Sequence, residues 1–96
     1  MYNFDNISYE DASFTDPGGS HLVTHSFNTD AGRNSVDGWL ICDGAGSIGV
    51  EISRDGLNYG NRYTVKKGER ISYERISINK VRILWSADSA YRINLV

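Results

Sequence analysis

The chain has 96 residues, one cysteine and a formal charge of −2. That length allows one domain, the lone thiol closes no intrachain disulfide, and the near-neutral balance gives the whole surface no field to draw nucleic acid or a membrane. Thirty residues are β-branched or aromatic against eighteen of the helix formers Ala, Leu, Glu, Lys and Met, which favours strands, and no apolar run approaches the roughly 20 residues that a membrane-spanning helix requires.

Residues 1–19 carry four acids, no Lys or Arg, and five large apolar groups, Tyr2, Phe4, Ile7, Tyr9 and Phe14. No strand or helix period is sustained there, and the segment ends on the turn-forming Asp16-Pro17-Gly18-Gly19. It reads as an extended N-terminal arm whose rings dock on the chain's own sheet edge or on a neighbouring subunit. Its acidic start lacks the apolar stretch of a secretory leader, so none is expected.

From Ser20 onward, strands and turns alternate. His21 to Phe27 reads as a strand with Val23, His25 and Phe27 on one face, followed by a polar loop over 29–34. Val36 to Cys42 is a second strand, interrupted by Asp37-Gly38, whose mixed faces point to burial on both sides or a bulge at Gly38. Ser47 to Ser53 is the clearest: Ile48, Val50 and Ile52 alternate with Gly49 and Glu51, which places Glu51 on a wet face. Arg54-Asp55-Gly56-Leu57 turns the chain into a return strand carrying Tyr59, Tyr63 and Val65. Ile71 and Tyr73, a short run from Ile76 to Ile78, then Val81, Ile83 and Trp85, and lastly Tyr91, Ile93 and Leu95 complete the pattern. About seven or eight short strands at this spacing predict an all-β, antiparallel, jelly-roll-like β-sandwich over 20–96, preceded by the arm over 1–19.

Recognisable chemistry is sparse. His21 and His25 sit four apart on an extended segment, so their Cα atoms lie roughly 13 Å from each other and cannot share a metal. No G-x-S-x-G or phosphate-binding loop occurs. Most acids fall in turns or on wet faces, and so short a chain leaves little room for an enclosed cleft; the sequence therefore predicts no enzyme, no metal and no cofactor. Cys42 reads as a small buried hydrophobe. Basic and aromatic residues interleave in the second half, but Tyr59, Tyr63, Tyr73, Trp85 and Tyr91 share the phase of the apolar positions, which makes them core rather than a base-stacking surface. The charge itself is polarised, −6 over residues 1–50 and +4 over 51–96.

The string Ser47-Ile48-Gly49-Val50-Glu51-Ile52-Ser53-Arg54-Asp55-Gly56-Leu57-Asn58-Tyr59 resembles a hairpin found in two groups: small β-sandwich structural proteins of tailed bacteriophage virions, and discoidin-like jelly-roll modules that bind carbohydrate or surfaces. Val65 to Glu69, Val81 to Ile83 and Asp88 to Ile93 are more similar to the phage group. That resemblance implies a non-enzymatic virion component, a capsid decoration or head/tail accessory protein located on the particle. Its partners would be other virion proteins or copies of itself, with Tyr2, Phe4, Ile7, Tyr9 and Phe14 as protein-interaction anchors and the charge polarity fixing register. The alternative is a small carbohydrate- or surface-binding module that stacks exposed Tyr or Trp on sugar rings.

Overall fold

The computed structural model describes residues 7–14, 21–85 and 88–96. Among the described residues there are eight strands and one short helix. They are β1 (Ile7–Phe14), β2 (His21–His25), α1 (Phe27–Ala31), β3 (Gly38–Cys42), β4 (Ile48–Ser53), β5 (Tyr63–Val65), β6 (Arg70–Tyr73), β7 (Lys80–Trp85) and β8 (Ser89–Leu95). All pairing is antiparallel. One sheet runs β1-β8-β3-β6 and the other β2-β7-β4-β5. The chain is a β-sandwich of jelly-roll type, as its alternating pattern predicts.

Period-two alternation builds the core. On β7, Val81, Ile83 and Trp85 are buried while Lys80, Arg82 and Leu84 are less so. Across the sandwich, Leu40 and Cys42 on β3 and Tyr91, Ile93 and Leu95 on β8 close over Ile48 and Val50 on β4 and Val65 on β5. Each such aliphatic side chain removed from water contributes about 1.5–3 kcal/mol, which is how a chain without a disulfide holds two sheets together.

Two local departures from the predicted pattern matter. The strand read as ending at Phe27 stops at His25, and Phe27 instead opens α1 and is wholly buried. Gly32, at φ 78°, caps that helix by donating its N–H to Asn28 O. In the segment read as an arm, Ile7–Phe14 forms β1 and pairs with β8, Ile7 opposite Leu95 and Phe14 opposite Ser89. Ile7 and Tyr9 pack against the chain's own core; Tyr2 and Phe4 lie outside the described residues.

Each side of the sandwich is closed by aromatic groups that reach between sheets. On one side Tyr9 of β1 stacks on His25 of β2, centroids 4.3 Å apart, and His25 Nε2 is hydrogen-bonded to Tyr91 Oη at 2.7 Å. Tyr9 also donates its hydroxyl to Asp30 just below α1's end, at 2.5 Å. On the other side the hydroxyls of Tyr63 and Tyr73 hydrogen-bond to each other.

Candidate functional site

A groove of about 470 Å³ opens beside the β4–β5 connection. Half-buried Ile52, Tyr63 and Ile76 supply its apolar surface, Tyr59 adds a second ring, and Arg54, Asp55, Asn58 and Asn61 form a polar rim. An apolar concavity with a few placed polar groups is the usual make-up of a small-ligand site.

The rim is rigid because its turn is saturated with hydrogen bonds. Asp55 Oδ1 accepts the backbone N–H groups of Leu57 and Asn58, both at 2.8 Å, and the Ser53 hydroxyl at 3.1 Å. Asp55 Oδ2 accepts the Asn58 side-chain amide at 2.9 Å. Ser53 Oγ in turn accepts the Gly56 N–H at 2.8 Å. The backbone donors from Asn58 and Leu57 hold the Asp55 carboxyl well below the usual carboxylate range. Gly56 sits at φ 82°, a conformation that favours glycine, and a Cβ there would come within 2.9 Å of Asn79 Oδ1 and push that side chain aside. Asn34 fastens the turn to the body by donating its side-chain amide to Arg54 O at 3.1 Å.

The return segment is placed equally firmly. Tyr59 bridges to Ser53, and Gly60 donates its N–H to Ile52 O at 2.9 Å. The Arg82 guanidinium lies 3.8 Å from the centroid of the Tyr59 ring, which fixes that ring by cation–π attraction. Burial raises the Tyr63 phenol above its ordinary value, with the Tyr73 hydrogen bond acting against it. Tyr73 is raised further, by burial first and then by Tyr63. Both phenols are therefore neutral at physiological pH.

Beneath this region, on the outer face of the second sheet, lies an ion cluster. Glu51, only 8% exposed, accepts from Arg82 at 2.6 Å and from Arg62 at 3.2 Å. The face read as wet at Glu51 is thus covered by two guanidinium groups. Cys42 is buried as expected, its Sγ 3.3 Å from Gly46 O.

No protein-family model matches the chain, and no curated protein does. Solved structures do. A cupin-2 domain protein from Shewanella frigidimarina aligns over 98% of this chain and 72% of its own, with a TM-score of 0.52 and 12% identity. The Drosophila melanogaster CENP-C cupin domain aligns over 88% of this chain and 56% of its own, TM-score 0.52, 11% identity. HppE with iron(II) and substrate aligns over 96% of this chain and 47% of its own, TM-score 0.54, 8% identity. The chain shares their fold. It spans about half the length of the last two, and at such identities the likeness extends to fold alone.

These neighbours correct two expectations. The resemblance to bacteriophage virion proteins does not hold, since these solved structures, which share the fold, are cupin domains and HppE. The residues that carried it, Ser53, Asp55, Gly56 and Asn58, are the ones that bond each other into the turn, and any hairpin with that geometry selects them. The expectation of a non-enzymatic chain is overturned as well, because this fold is shared with HppE, a protein whose structure holds its substrate.

Among the described residues, no ligand set matches the iron that accompanies HppE. No three His, Cys, Asp or Glu side chains among them lie close enough to hold a metal ion. His25 faces Tyr9 and Tyr91, and Glu51 is engaged by arginines; neither belongs to a ligand cluster.

Of the five arm residues named from sequence, Ile7 and Tyr9 do not line the groove; Tyr2, Phe4 and the Phe14 side chain lie outside the described part of the chain. Tyr59 and Tyr63, read as core, do line it; Asn58 was named only within the resembling hairpin and Ile76 only as the start of a short strand, and Asn61 was not singled out. The available signal was the run Asn58-Tyr59-Gly60-Asn61-Arg62-Tyr63, in which amides and rings follow directly on an Asp-Gly turn.

Proposed function

We propose that the chain is a small β-sandwich binding module whose groove takes a polyhydroxylated ligand of sugar type. The observation that carries this reading is the juxtaposition, on one pre-formed loop, of the Tyr59 and Tyr63 rings with the Asn58 and Asn61 amides and the Arg54 guanidinium. Sugar rings present apolar C–H faces that pack on aromatic rings, and hydroxyls that amides serve as donors and acceptors and a guanidinium as donor. The turn's internal hydrogen bonds support the reading further, because a loop already ordered costs little to order on binding.

Titration of the full chain with a panel of mono- and disaccharides, followed through the amide resonances of Gly60 and Asn61, tests it. Saturable shifts for at least one sugar, weakened about tenfold or more by Tyr63→Ala or Asn61→Ala, are expected. A panel without a binder, the chain being folded, would overturn the reading.

A second reading is favoured by Leu57, 84% exposed at the loop tip beside the groove. An apolar side chain held out on a rigid turn suits a protein partner, and the Drosophila CENP-C cupin domain is itself bound to a protein, CAL1. Loss of a co-purifying partner on Leu57→Ser, with sugar binding unchanged, separates the two.

A further inference from the structure

We propose a second site, independent of the groove: an oxyanion site on the outer face of the second sheet, centred on Arg62, for the carboxylate or phosphate group of a small molecule. The sheet register brings its parts together. Gly49 lies opposite Leu84 on one side and Thr64 on the other, and Glu51 lies opposite Arg82. Gly49 contributes no side chain, and the stem of Arg62 occupies that space. A Cβ at Gly49 would stand 2.7 Å from Arg62 Cδ and 3.1 Å from Cγ. The arginine is thus laid across the strand rather than left to wave in solvent.

Glu51 holds it there. Arg62 donates from Nε to Glu51 Oε2 at 3.2 Å, while Arg82 donates to Oε1 from Nε at 2.7 Å and from Nη2 at 2.6 Å. Both carboxylate oxygens are thereby taken. Two guanidinium groups against one carboxylate leave one unit of positive charge in excess. Among the described residues nothing engages the terminal nitrogens of Arg62, whose side chain is 55% exposed. A guanidinium tied by Nε and open at its two terminal nitrogens is a fork suited to two oxygens of one anion.

A cavity of about 260 Å³ lies against it. The hydroxyl-bearing Ser47 and Thr64 share its wall with Arg62, and Leu84 and Trp85 provide an apolar side. That volume suits a small molecule with an oxyanion at one end and a short apolar body. A purely structural cluster would need no excess cation and no cavity beside it, and burying a carboxylate between arginines stabilises a fold little compared with apolar packing. Its evident effect is to position Arg62.

Inorganic phosphate and butyrate, each titrated into the full chain at low ionic strength and followed at the Gly49 and Thr64 amides, test the proposal. A saturable shift with either probe is expected. Tighter butyrate binding would place the apolar body against Leu84 and Trp85; tighter phosphate binding would give the fork the dominant role. Arg62→Ala should weaken binding about tenfold or more, and Gly49→Ala should do the same by displacing the stem without removing the charge. No saturable shift with either probe, or undiminished binding in either folded variant, overturns the site. Should Arg62→Ala not fold, Gly49→Ala alone decides.

Discussion

Tyr63 and Tyr73 belong to different sheets, yet their hydroxyls bond to each other at the sandwich side formed by β5 and β6. Tyr73→Phe removes one partner and leaves the half-buried Tyr63 hydroxyl to find another. The expected cost is about 1 kcal/mol in urea unfolding. Tyr63→Phe together with Tyr73→Phe should cost less than the two single changes added, because the double variant leaves no orphaned hydroxyl. Strict additivity would show that the contact is not energetically coupled.

Alkaline pH should weaken the fold. Tyr9, Tyr63 and Tyr73 are held above the ordinary phenol value of 10.0 by burial, with Asp30 adding to the effect at Tyr9. A folded-state value above the unfolded one means the unfolded chain releases its protons first. The stabilisation is therefore intact below about pH 10 and is lost as pH climbs beyond it. Phenolate absorbance should show at least three of the six tyrosines ionising only as the chain unfolds; all six titrating before unfolding would contradict this.

Acid should act through Glu51. Burial opposes its ionisation, but Arg82 and Arg62 outweigh burial and hold its carboxyl below the ordinary 4.5. Its contribution is present above that value and lost as pH falls through the lower folded one. Glu51→Gln should lower the melting temperature at pH 7 and flatten its decline below pH 4.5. An unchanged acid limb would assign the decline to other carboxyls. Because Arg62 is half exposed and screened by water, the loss at pH 7 should be about 2 kcal/mol, below that for a fully buried pair.

Gly56→Ala strains the left-handed turn and crowds Asn79. The cost to stability should be about 1 kcal/mol. Hydrogen exchange should quicken at the Leu57 and Asn58 amides, whose acceptor is Asp55, while amides of β7 stay protected. Uniform loss of protection would mean that the turn and the sheets open as one unit.

The sandwich was legible because β4, β7 and β8 alternate so strictly that one face must be dry. α1 was not, since five residues carry too little period, and Phe27 continues the parity of Val23 and His25 until the backbone turns. β1 was hidden by its acids, which break the alternation although the backbone pairs with β8 throughout most of its length. The groove escaped because Ile76 comes to it from a distant stretch of chain, and no local pattern marks which rings of a strand lie at an edge. Glu51 looked solvated for the same reason: its cover, Arg62 and Arg82, is set by strand register rather than by spacing in sequence.

The strand orders carry a consequence for synthesis. β8 alone joins β1 to β3, and β7 alone joins β2 to β4, so both sheets are spliced by strands that follow all the others in the chain. Of the strand pairings among the described residues, a nascent chain ending before Lys80 retains β3–β6 and β4–β5. β1 and β2 wait for their partner strands until β7 and β8, one for each sheet, have been made. The two sheets are therefore joined late, and β1 and β2, made well before their partners, stay open longest to miscoupling with other chains.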